Sequence, residues 1–152
     1  MLPGKISKRI VSDRLAWVDR MLHEIRALPL ENKTVFMQES RNIWAAESCL
    51  RRALEALFDM GRHIAAKGFT EGVTEYKEIA ATLNRHEVIS ADEMNLMRKL
   101  AGYRNRLVHF YHDVNAEELY ELCRSRLGDI ESMADALRSW LASHPELLDE
   151  VL

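Results

Sequence analysis

The stretch AGYRNRLVHFYHDV, residues 101–114, gathers Arg104, Arg106, His109, His112 and two tyrosines just after a glycine. From Arg98 to His112 there are four cations, Arg98, Lys99, Arg104 and Arg106, and no acid; acids resume at Asp113. An arginine can hold a phosphate through two parallel N–H donors and stabilise the negative charge that builds on it during displacement. Histidine titrates close to neutral pH and can take or deliver a proton. RNA carries its own nucleophile, the 2′-hydroxyl. An arginine and a histidine therefore make a minimal RNA-cleaving apparatus that calls for no metal and no cofactor, and a symmetric dimer would double it. Spacing alone is weakly specific: a solvated basic face would carry the same residues.

Other chemistries have thinner support. The six glycines are scattered, so no phosphate-cradling loop is present. Neither His-Glu-x-x-His nor a paired Cys-x-x-Cys occurs. His109, His112 and Asp113 could in principle ligate a metal, but short histidine clusters arise readily by chance, and no metal site is expected. The net charge of −3 argues against a broad phosphate-coating surface and leaves room only for a local basic cleft. Cys49 and Cys123 lie in helix-like segments and read as core-filling residues in a reducing cytoplasm. No stretch approaches the roughly 20 apolar residues of a membrane span, and MLPGKISKRIVSDRL lacks the apolar centre of a signal peptide. A soluble, cytoplasmic protein with no membrane contact is expected.

The elements that must position these residues are helices. Only three prolines punctuate the 152 residues, and no segment alternates as a strand would, so one all-α domain over 1–152 is expected. Residues 5–28 place Ile6, Ile10, Trp17, Val18, Met21, Leu22 and Ile25 on one helical face. Pro29 ends that segment, and Asn32 or Thr34 can cap the next. In residues 34–67, Phe36, Ile43, Leu50, Leu57 and Ile64 fall seven apart, a bundle seam flanked by Trp44, Leu54 and Phe58. A shorter helix over 74–86 turns Tyr76, Ile79, Ala80 and Leu83 inward. Ser90 and Glu93 form a capping box that starts the helix leading into Arg104. Asn115 can cap a last helix over 116–142, which His144–Pro145 ends. The result is an up-and-down antiparallel bundle of four to five helices.

Within that frame, Asn105 and His109 share a helical face, and Arg104 aligns with Tyr111 if the helix runs so far. Gly102 would let another backbone or a substrate approach closely. In the seam helix, Glu55 and Asp59 stand among Arg51 and Arg62. They are either a solvated salt-bridge face or acids that orient a basic site.

The motif Arg104-Asn105-x-x-x-His109-x-Tyr111 in LAGYRNRLVHFY resembles the Arg-x4-His-x-Tyr motif of the HepT-like toxins. These belong to the HEPN (higher eukaryotes and prokaryotes nucleotide-binding) superfamily. RRALEALFDMGRHIAAKG and YKEIAATLNRHEVIS resemble the family's second long helix and the helix and loop after it, so the likeness covers about residues 36–114. It implies a homodimer in which two motifs face a shared cleft, and metal-independent cleavage of an RNA substrate. Arg104 would hold phosphate, His109 would be the acid or base, and Asn105 a polar assistant. It also implies an MntA-type nucleotidyltransferase antitoxin that silences the toxin by adenylylating Tyr111. Inactive relatives exist, so the alternative is a module in which the same cleft binds a nucleotide or partner without chemistry.

Overall fold

The computed structural model describes residues 5–149; the ends of the expected 1–152 domain lie outside the described residues. The chain forms the expected all-α up-and-down bundle. Its helices are α1 (Lys8–Arg26), α2 (Lys33–Gln38), α3 (Ser40–Phe69), α4 (Tyr76–Arg85), α5 (Ala91–Leu107), α6 (Ala116–Ser125) and α7 (Leu127–Ser143), followed by a 3-10 turn, Pro145–Leu147.

Local chemistry sets most of these boundaries. The Asn32 side chain accepts from Val35 N, and the Asn115 side chain accepts from Glu118 N, so each asparagine caps its helix. Ser90 and Glu93 make the capping box in full, each side chain reaching the other's backbone amide. Two long segments read from periodicity are each broken in two. Glu39, with extended backbone, separates α2 from α3, and Arg126 separates α6 from α7. Neither break carries a glycine or proline, and the buried stripe continues across both: Phe36 in α2 is as buried as Ile43, Leu50, Leu57 and Ile64 in α3.

Helix α3 is the axis of the bundle and touches every other α-helix. Its middle is buried over most of its girth, with Ala53, Leu54, Ala56, Leu57 and Phe58 in the core and a charged strip of Arg52, Glu55 and Asp59 left partly open. Gly61 lets α4 and α5 close on it: a Cβ there would lie 3.0 Å from Ile79, 3.2 Å from Leu83 and 3.3 Å from Met97. Gly61→Val overfills this fully buried contact. Its expected cost is roughly 2–3 kcal/mol, read as a lower urea midpoint at unchanged slope. The first and last described segments also meet, since Ile6 N donates to Leu147 O and Asp149 N to Ile6 O.

Periodicity misplaced three side chains. Ile10, Trp17 and Trp44 belong to apolar stripes in the sequence, yet they are 37%, 45% and 52% exposed. Trp17 borders a groove of about 710 Å³ between α1 and α3, whose walls include Arg14, Arg52, Glu55 and Asp59. Cys123 is buried, with its thiol pushed up to about 12 by burial, so it stays protonated and inert at neutral pH. Gly102, expected at a close approach, faces open space: nothing lies within 4 Å of where its Cβ would be. Among the described residues no helix is long and apolar enough to cross a membrane.

Candidate active site

Arg104 lies in the last turn of α5, on the side that meets α3 and α4. Its Nη2 donates to Glu55 Oε2 of α3 at 3.0 Å. Its guanidinium carbon sits 4.5 Å from the centre of the Tyr76 ring, at the start of α4. Three helices thus converge on one side chain. Glu55 is itself held, because Arg51 donates to its other oxygen at 3.3 Å and to Glu47 at 3.0 Å. Arg104 Nε is buried without a hydrogen-bond partner, the one such side-chain atom among the described residues.

Asp59, one turn along α3, works on a different arginine. It accepts from Arg62 at 3.0 Å, and Arg62 also donates to the Val73 and Thr74 carbonyls at 3.2 and 3.1 Å. Arg62 therefore ties down the loop that leads into Tyr76. Arg62, Thr74, Tyr76, Lys77, Arg104 and Asn105 border a cavity of about 340 Å³. Of the two acids singled out in the sequence, Glu55 touches Arg104 directly, and Asp59 reaches it only through Arg62, the loop and Tyr76.

Helix α5 stops before His109. Leu107 is its last residue, and His109 N donates to Arg106 O at 3.0 Å, so the final turn is tightened. The His109 side chain is exposed, and its ring has no hydrogen-bond partner among the described residues. Beyond it the chain makes a tight turn. His112 N and Asp113 N both donate to His109 O, and Tyr111 N donates to Val114 O at 2.8 Å. Tyr111 adopts φ 73°, a left-handed conformation costly for a bulky residue. Helical alignment of Arg104 with Tyr111 therefore does not hold. The Tyr111 side chain instead points outward, 56% exposed, with its ring 5.5 Å from that of Trp44 in α3.

Arg106 ties this turn to α6. It forms two hydrogen bonds to Glu118, at 2.6 and 2.7 Å, and one to Asp113 O at 2.7 Å. The acid-free run of the sequence is thus less basic in space: Glu55 of α3 neutralises Arg104, and Glu118 of α6, the next helix, neutralises Arg106. Asn105 is exposed at the cavity edge, and His109 stands apart from the cavity, on the turn beyond it. Tyr103 is half-buried and packs on the core. His112 and Asp113 are exposed on the same turn, and among the described residues no group of three or more His, Cys, Asp or Glu could hold a metal ion.

Sequence reasoning missed Tyr76 and Trp44. Both were assigned to packing stripes, yet one supports Arg104 and the other supports Tyr111. Their aromatic character was visible; the pairing was not, because each partner lies on a different element of the fold.

Comparisons with known proteins bear on the fold and the family. No curated protein matches the sequence. Among solved structures, a toxin–antitoxin complex with AMP-PNP superposes with a TM-score of 0.75 at 20% identity, over 84% of this chain and 97% of that one. A tri-AMPylated HEPN toxin of Shewanella oneidensis in complex with its MNT antitoxin gives 0.75 at 21% identity, over 86% and 97%. YutE of Bacillus subtilis, a cytosolic protein of unknown function, gives 0.74 at 20% identity, over 97% and 98%. At these identities the structures establish a shared fold. Membership is carried by the sequence itself, which matches the protein-family model described as Ribonuclease HepT-like over residues 18–137, and the chain therefore belongs to the HepT-like family.

Proposed function

We propose that this protein is a cytoplasmic endoribonuclease toxin that cuts RNA without a metal and acts as a homodimer. The observation that carries the reading is the contrast between two motif side chains. Arg104 is held by Glu55 and Tyr76 at the rim of a cavity, while the His109 ring is exposed on the adjoining turn and makes no hydrogen bond among the described residues. One is built to receive an anion in a fixed orientation, and the other is free to exchange a proton.

The chemistry follows. His109 takes the proton of the 2′-hydroxyl, and the freed oxygen attacks the adjacent phosphorus. The bond to the 5′-oxygen breaks, and that oxygen leaves with a proton as a 5′-hydroxyl. Arg104 stabilises the extra negative charge on the phosphoryl oxygens, with Asn105 as a further donor at the cavity edge. In a homodimer, the second protomer's His109 could supply the departing oxygen's proton.

Silencing by an MntA-type nucleotidyltransferase antitoxin fits the same turn. The Tyr111 phenol is exposed and aimed away from the core. Attack of its oxygen on the α-phosphorus of ATP would form the tyrosyl-AMP bond and release pyrophosphate. An adenylate there adds negative charge and bulk beside the RNA site. The complexes of similar fold, one with AMP-PNP and one with an AMPylated toxin, support this partner class.

The test is incubation of the purified, unmodified protein with total RNA and tRNA in EDTA, followed by analysis of product ends. Fragments ending in 2′,3′-cyclic phosphate are expected. No cleavage by protein shown by mass spectrometry to lack adenylate on Tyr111 would overturn the reading in favour of a non-catalytic binding module.

A further inference from the structure

An arginine that must present one edge of its guanidinium to a phosphate needs its plane fixed, not only its position. Glu55 cannot do this alone. It accepts one hydrogen bond from Arg104, at 3.0 Å, and a single bond leaves the group free to rotate about the donor–acceptor line. The guanidinium carbon lies over the Tyr76 ring, 4.5 Å from its centre, a second contact that the Glu55 bond does not supply. Nε is buried as well, so the stem of the group is enclosed by protein and not by solvent.

Tyr76 is itself held by two neighbours from α3. Its ring packs on that of Phe58 in α3, with centroids 5.0 Å apart, and Phe58 is fully buried. Arg62 lies 5.6 Å from the ring centre and binds the carbonyls of Val73 and Thr74, the residues that deliver the chain to α4. Asp59 fixes Arg62 in turn. A chain of contacts therefore runs from Asp59 through Arg62 and the loop to Tyr76, and ends on Arg104.

We propose that Tyr76 is a positioning residue for phosphate recognition: its ring is the platform that holds the Arg104 guanidinium in the plane from which its free edge meets the substrate. This rests on the ribonuclease reading for its purpose but not for its physics. The face of the ring is what matters, so the phenolic hydroxyl is dispensable. Tyr76→Phe should behave as wild type, whereas Tyr76→Leu should fill much of the same volume and lose the cation–π contact.

Two readouts separate this proposal from the function it serves. The first is NMR of arginine-labelled protein without RNA, in which the buried Nε–H of Arg104 exchanges slowly enough to be observed. Wild type and Tyr76→Phe should show an ordered Arg104 side chain, and Tyr76→Leu a mobile one that has lost its ring-current shift. The second is RNA cleavage: Tyr76→Leu should lower kcat about tenfold with KM changed less, while Tyr76→Phe stays within about threefold of wild type. An Arg104 equally ordered in Tyr76→Leu, or a Tyr76→Phe as impaired as Tyr76→Leu, would overturn the platform. Absence of cleavage by wild-type protein would instead overturn the ribonuclease reading, and the NMR comparison would still decide whether Tyr76 orders Arg104.

Discussion

Replacing His109 by alanine is expected to reduce RNA cleavage about a thousandfold or more while leaving the fold intact. The size follows from removing the side chain proposed to accept the 2′-hydroxyl proton. Preservation of the fold follows from which atoms of His109 hold the turn together. Its amide donates to Arg106 O, and its carbonyl accepts from His112 N and Asp113 N. All of these are backbone groups that alanine keeps. The imidazole is exposed and has no partner among the described residues to abandon. Circular dichroism and the thermal midpoint should therefore match wild type, as should affinity for an RNA carrying a 2′-O-methyl group at the cleavage position. A variant that still cuts at the wild-type rate would remove His109 from the chemistry.

His109 also shows how far the sequence reaches. The motif and its helix were legible because local chemistry encodes them: the Ser90–Glu93 capping box starts α5, and the Asn115 cap starts α6 after the turn. The seam of α3 was legible because a seven-residue repeat of large apolar side chains has few other uses. What could not be read is where α5 stops. No glycine or proline marks Leu107, and the helix yields there because contacts with residues beyond it favour the turn. Arg106 finds Glu118 and Asp113 O, Val114 is buried, and together these hold Tyr111 at a positive φ that its own side chain disfavours. Charge was misread for a similar reason. A run without acids looked like a basic patch, but Glu55 and Glu118 arrive from α3 and α6. Periodicity likewise assigns Trp17 and Trp44 to a face without saying whether anything covers that face.

The two acids of α3 illustrate the same limit from the other direction. Sequence left Glu55 and Asp59 as either a solvated face or supports for a basic site. In the structure both alternatives hold in part. They border the open groove beside α1 and, at the same time, anchor Arg104 and Arg62 on the other side. A helix one residue wide in sequence has two neighbours in space, and only the fold tells which neighbour each oxygen serves.

Arg104 carries the second large effect, and it separates activity from stability. Arg104→Ala is expected to lower kcat/KM about a thousandfold, because the donors that stabilise the phosphoryl charge are gone. Arg104→Lys should recover little, remaining about a hundredfold below wild type. Arginine can serve two anions at once, giving Nη2 to Glu55 and its other edge to phosphate. An ammonium is a single centre: paired with Glu55, it has no second edge fixed toward the substrate. Stability should move the other way from what a lost ion pair suggests. Glu55 keeps Arg51 as a partner at 3.3 Å, so the carboxylate is not stranded. Removing Arg104 also removes its buried, unpartnered Nε, whose desolvation costs about 1–3 kcal/mol. That relief offsets the lost Glu55 pair and the lost Tyr76 contact, worth about 1 kcal/mol each. Chemical unfolding of Arg104→Ala should therefore fall within about 1 kcal/mol of wild type. A fall of several kcal/mol would mean that Arg104 is there to hold the bundle together, and its role in the site would have to be given up.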